Sequence, residues 1–213
     1  MSLYKSSNNK VRSFNGSNGL ITCGSDAKAK LWQLEESENN LKPSERSPGR
    51  WEAVRTFSYL GLKPKCSSVS PDQSVIAICF GGTLTLWDGE TFSLLTCLSV
   101  KEDQSVYTSV MFGDRTSLPH LVLATTESHV LVWNLLTNHL VKKMALDRPT
   151  LFHLRSHMIG VLHSHGAVAL DHALTPSLIT KLENVSGIAS DDRTGRIYAV
   201  SYTHLTLPTN REV

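Results

Sequence analysis

Five histidines crowd residues 153–172: His153, His157, His163, His165 and His172. His163 and His165 are two apart, so on a strand they share a face, and two imidazoles on one face can grip a metal ion. A third ligand has to come from His153, His172 or Asp171. A plainer reading competes with this one. Strands carry solitary histidines in cores and on surfaces, and few carboxylates stand near enough to orient these rings. The sequence therefore assigns no metal and no cofactor.

Other chemistry finds no pattern to stand on. The chain has no GxGxxG turn, no GK[ST] phosphate loop, no GxSxG elbow and no HExxH pair, and it reads as non-catalytic. Cys23, Cys66, Cys79 and Cys97 are widely spaced, without a CxxC pair, and read as buried or semi-buried thiols of a reducing compartment. The sequons at Asn15 and Asn184 read as chance matches in a chain whose opening residues lack the apolar core of a secretory signal.

Charge narrows the partners. There are 21 Lys and Arg against 19 Asp and Glu, a formal net charge of +2. Basic residues are dispersed, and the longest run is Lys142-Lys143. Lys142, Lys143, Arg148 and Arg155 are the candidates for one basic rim, but phosphate contacts need clustered cations, and a solvated face is the stronger reading. Direct RNA contact is thus unsupported by the charge pattern. The longest wholly apolar stretch, Val75 to Phe80, is far short of a membrane span, so no membrane partner is expected.

The elements that must position any site come from an internal repeat. AKAKLWQL (27–34), TLTLWDGE (83–90) and HVLVWNLL (129–136) each alternate along a short strand and reach Trp, while GAVALDHA (166–173) puts Leu170 in the Trp place. The landmarks are Trp32, Trp87 with Asp88, Trp133, and Leu170 with Asp171. They are spaced 55, 46 and 37 residues apart, and the first interval falls to 39 without the polar stretch Glu35–Arg50. That stretch carries Ser47-Pro48, a possible phosphorylation site, and reads as a flexible insert. Trp51 stands at its far end as a candidate exposed contact.

Each unit repeats one plan. KCSSV, the Ser70-Pro71-Asp72 turn, SVIAICF, the Gly81-Gly82 turn, TLTLWD, the Gly89-Glu90-Thr91 turn and SLLTCLSV make four strands. VYTSVMF, HLVLATT, HVLVWN and HLVKKMAL repeat it, as do TLFHLRS, MIGVLHS, AVALDH and SLITKLE. The fold class expected is all-β, with tryptophans filling the gaps between sheets.

LWD at 86–88, VWN at 132–134 and the SPD turn at 70–72 resemble WD repeats. The resemblance implies a β-propeller of four-stranded blades. The Gly-His dipeptide of such repeats is missing, and with it the usual His–Asp network. The succession TCGSDAKAKLWQLEESENN, a polar break, SVSPDQSVIAICFGGTLTLWDGETFSLLTCL and LVLATTESHVLVWNLLTNHLV is similar to the second propeller of the WD repeat-containing protein 75 family, well over 19–146 and weakly over 147–200. That resemblance implies a non-catalytic scaffold of ribosome biogenesis, in the nucleus and nucleolus. It would act in small-subunit processome assembly and early pre-rRNA processing, with a link to RNA polymerase I transcription. Its implied partners are other processome proteins and pre-ribosomal ribonucleoprotein. A WD-repeat scaffold of another pathway, such as a substrate receptor or trafficking scaffold, is the alternative.

Propellers close on themselves with four to eight blades, and the repeats here account for about three to four. The expectation is therefore an incomplete propeller. Residues 1–18 are an unassigned lead, 19–200 the partial propeller with insert 35–50, and 201–213 a tail that reads as non-native.

Overall fold

The computed structural model describes residues 11–14, 19–35, 50–100, 105–113, 118, 120–153, 159–171, 173–180, 185–191 and 196–201. The calls on Ser47, His157, Arg155, His172 and the interior of the insert and tail lie outside these residues. All regular structure among them is β, in an open, partial propeller.

Blade 1 is β1 (Val11–Phe14), β2 (Gly19–Cys23), β3 (Ala29–Glu35) and β4 (Arg50–Phe57). Blade 2 is β5 (Pro64–Val69), β6 (Val75–Phe80), β7 (Thr83–Asp88) and β8 (Leu94–Leu98). Blade 3 is β9 (Ser109–Phe112), β10 (Leu121–Thr125), β11 (His129–Asn134) and β12 (His139–Ala145). Blade 4 is β13 (Thr150–His153), β14 (Ile159–His163), β15 (Gly166–Leu170) and β16 (Pro176–Thr180). A two-stranded sheet, β17 (Val185–Asp191) with β18 (Arg196–Ser201), follows. In each blade the strands lie in chain order and each pairs antiparallel with the next; short loops join most of them, and the polar insert joins β3 to β4. One strand, β1, lies ahead of residue 19, and β4 begins where the polar insert ends, with Glu35 opposite Arg50.

The middle strands read as near-continuous apolar runs because both faces of a blade are covered. In β6, Ile76 and Ile78 belong to one cluster with Ile21, Leu31 and Phe57 of blade 1. The alternate residues Ala77 and Cys79 join Val110, Val122 and Leu131 of blade 3. Period-two alternation thus divides one strand between two neighbours. A third cluster joins Leu123, Val130 and Val132 of blade 3 to Val161, Val168 and Leu170 of blade 4. Truncating a fully buried leucine such as Leu131 to Ala at one of these seams costs roughly 2–5 kcal/mol.

The fourth strands are different. In β4 every residue before Phe57 is exposed, and β12 alternates between exposed and half-buried. These are the outer edges of the blades. The four cysteines form no disulfide. Cys23, Cys66 and Cys79 are buried, but Cys97 is exposed on the outer strand β8, where alternation turns it outward.

Candidate functional site

The landmark residues occupy equivalent places. Trp87 meets Phe57 of blade 1 edge-on at 5.1 Å, Trp133 is buried in the cluster between blades 2 and 3, and Leu170 is buried in the one between blades 3 and 4. Trp32 is only half-buried. It lies on the face of blade 1 opposite Leu31, beside an open 230 Å³ depression, with the Lys30 ammonium 5.9 Å from its ring centre.

The residue after each landmark holds the following turn. Asp88 Oδ1 accepts from the backbone N–H groups of Glu90 and Thr91 and from the Thr91 hydroxyl. These donors favour the ionised form and hold its carboxyl below the usual value of 3.8. Asn134 Oδ1 accepts from the N–H groups of Leu136 and Thr137, and Asp171 Oδ1 from those of Ala173 and Thr175. Phe92, Asn138 and Leu174 then each take a positive φ of 57–58° to turn the chain into the fourth strand. In blade 1 the corresponding residue is Gln33, inside β3, and the long insert replaces the tight turn.

These turns share one end of the blades with the turns between first and second strands. In blade 2 that turn is Ser70-Pro71-Asp72-Gln73-Ser74. Ser70 Oγ and Ser74 Oγ donate to Asp72 Oδ1, the Val75 N–H donates to Ser70 Oγ, and Gln73 sits at φ 64°. Two hollows open on this rim. A notch of about 510 Å³ lies between blades 2 and 3, with Val75, Phe112, Leu121, Leu135 and Leu136 as its main apolar lining. A second hollow of about 420 Å³ carries Asp72, Asp88 and Glu90 together with Phe92. Asp72 and Ser74 line both. No single sequence motif marks this rim, since its residues come from separate segments of three blades, Gln33 of blade 1 among them; its cues were the SPD turn and the turn that follows Asp88.

The histidines are placed otherwise than the strand rule implies. His163 ends β14, His165 stands in the turn, and β15 begins at Gly166, so the pair shares a hairpin turn rather than a strand face. Their rings are 6.3 Å apart, and His163 Nδ1 accepts from the His165 N–H. Burial lowers the pKa of His163, the nearby His165 lowers it further, and Asp147 opposes the shift. His153 ends β13, and Asp171 is engaged with its turn. Among the described residues no three His, Cys, Asp or Glu side chains come together to hold a metal.

The basic candidates separate too. Lys142 Nζ donates to the Leu174 carbonyl at 2.6 Å, tying blade 3 to blade 4. Lys143, next along β12, points to the opposite face. Arg148 pairs with its exposed neighbour Asp147. Trp51 is exposed on the outer edge strand β4. No helix among the described residues is long and apolar enough to cross a membrane.

Residues 5–164 match the family model described as the second β-propeller of WD repeat-containing protein 75. WD repeat-containing protein 75 of Danio rerio is 30% identical over 128 residues, 60% of this chain and 14% of that protein. The protein of the same name from Xenopus laevis is 26% identical over 132 residues, 62% of this chain and 15% of that protein. The matches therefore span about a seventh of these relatives. The crystal structure of the C-terminal WD40 domain of Sif2 superposes with a TM-score of 0.62 over 86% of this chain and 52% of that chain, at 14% identity. That likeness concerns the fold alone.

Proposed function

The chain belongs to the family of the second β-propeller of WD repeat-containing protein 75, and from that premise we propose that it acts within a non-catalytic scaffold of ribosome biogenesis. The family match carries this reading, and the relatives from Danio rerio and Xenopus laevis bear the name of the same family. The scaffold serves small-subunit processome assembly and early pre-rRNA processing in the nucleolus, and is linked to RNA polymerase I transcription. Its partners are processome proteins and pre-ribosomal ribonucleoprotein.

The geometry fits a binding rather than a catalytic role. Asp88, Asn134 and Asp171 on the rim hold turns. A catalytic group needs instead a nucleophile, a base and room for a reacting atom between them. Rigid blades with turns presented at one end suit the holding of several partners. Basic side chains are dispersed along the sequence, and this charge pattern gives no support to direct RNA contact.

Affinity purification of the tagged full-length protein tests this, together with pre-rRNA analysis after depletion. Co-purification of early small-subunit precursors, and slowed early processing on depletion, are expected. A protein that stays cytoplasmic and brings down no pre-ribosomal component overturns the assignment.

A further inference from the structure

We propose that the rim of blades 2 and 3 binds a short peptide in which a large apolar side chain stands near an arginine or lysine. The apolar group fills the notch between the blades, and the cation lies over the neighbouring acidic hollow. This rests on reading the rim as a partner surface, and is independent of the processome assignment.

The notch is a gap in the seam between blades. Phe112 on its floor is buried in the shared cluster, and half-buried Val75 and Leu135 pack against that cluster. Leu136 forms the lip and is 71% exposed, although the Asn134 side chain fixes the turn that carries it. An exposed leucine on a fixed turn, above an apolar floor, offers a preformed surface to one large apolar group. Its volume of about 510 Å³ falls within the roughly 300–1,000 Å³ typical of ligand pockets.

The adjoining hollow decides the charge of the occupant. Asp72, Asp88 and Glu90 line it, and among the described residues no Lys or Arg lines either hollow. Asp72 and Ser74 belong to both linings, so a few residues of extended peptide reach from one to the other. Three carboxylates attract a guanidinium or ammonium and repel phosphate, which favours a basic peptide over a nucleic acid.

The test uses the purified full-length protein and fluorescent twelve-residue peptides built on Gly and Ser. Each has one Leu and one Arg, separated by one to four residues. Controls replace Arg by Glu or Leu by Ala, and a uridine oligonucleotide serves as a further probe. At one separation the Leu–Arg peptide should bind at least about tenfold more tightly than its Glu control, with weakening as salt rises. Glu90→Lys should erase that preference and Leu136→Ser should weaken binding. Both residues are at the surface, and circular dichroism checks that each variant is folded. Equal binding of Arg and Glu peptides, indifference to both variants, or no peptide binding overturns the proposal. So does oligonucleotide binding that Glu90→Lys leaves unweakened and Leu136→Ser abolishes. Self-association of the protein that Leu136→Ser abolishes assigns the notch to a second copy, and overturns it too.

Discussion

Thr85 Oγ1 lies 2.8 Å from the indole nitrogen of Trp87, two residues along the same strand and on the same face. The Thr85 hydroxyl accepts the indole N–H and donates its own proton to the Ile78 carbonyl. Blade 1 solves the same problem differently: Trp32 donates to Thr22 Oγ1 on the adjacent strand. Trp133 has neither device. Leu131 stands in the place of Thr85 and Ala124 in the place of Thr22, and its buried N–H finds no partner among the described residues.

Substitution should reveal that difference. Trp87→Phe removes a made hydrogen bond and should cost ~1 kcal/mol or more. Trp133→Phe also loses volume, but it removes an orphaned donor whose desolvation penalty is about 1–3 kcal/mol. It should therefore lie within ~1 kcal/mol of neutral. Ala124→Ser should supply the missing acceptor and stabilise by about 1 kcal/mol. That gain should vanish when Trp133→Phe is present. Urea unfolding of the four-protein cycle checks this; a gain that survives in the Phe background refutes the pairing.

The turn acceptors lead to a pH prediction. Asp88 has a pKa below 3.8 in the fold, first because of the Thr91 N–H, then the Thr91 hydroxyl and the Glu90 N–H. A lowered carboxylate contributes stability that is present above the unfolded value and lost as pH falls through the folded one. Asp88→Asn keeps an acceptor, as Asn134 does in the next blade, and should be milder than Asp88→Ala at neutral pH. Melting below pH 3.8 should show the Asp protein losing its advantage over Asn. A constant gap at every pH contradicts this account.

Much of the fold was legible because tertiary packing and local turn chemistry agree in blades 2 to 4. The third strand, Trp or Leu, and then Asp or Asn is both a packing element and a turn starter, so the repeat showed both. Strand β4 was harder to read. RWEAVRTF is an outer edge exposed along almost its whole length, so no burial period marks it. The histidine pair misled because the period-two rule holds only within a strand, and β14 stops at His163. The rim hollows escaped notice because Val75, Phe112 and Leu136 are brought together by the seam between blades, a relationship with no linear spacing.

His163 gives a second titration, of opposite chemistry. Burial first, then His165, lowers its pKa from the ordinary 6.5, against Asp147. The unfolded chain therefore takes up this proton more readily than the folded one. Stability is unaffected by this group well above 6.5 and falls as pH drops through 6.5 toward the folded value. His163→Gln should shrink the fall in melting temperature between about pH 7.5 and about pH 5.5. An unchanged fall would show that His163 is not its source.

The last prediction concerns a glycine held by its partner across the sheet. Gly160 in β14 pairs directly with Phe152 in β13, and the Phe152 ring lies where a Cβ on Gly160 would stand. Both residues are buried, so the ring cannot swing into solvent. Gly160→Ala should ordinarily help a strand, because glycine is a poor strand former. Here overpacking wins, and a cost of about 1–3 kcal/mol is expected. Phe152→Leu alone leaves the space over Gly160 partly empty and should cost about 1 kcal/mol or more. The two changes together should be less harmful than their sum, because the added methyl occupies what the smaller side chain vacates. Thermal unfolding of both single variants and the double checks this. Simple additivity, or a Gly160→Ala protein as stable as the parent, would show that the ring is not the obstacle.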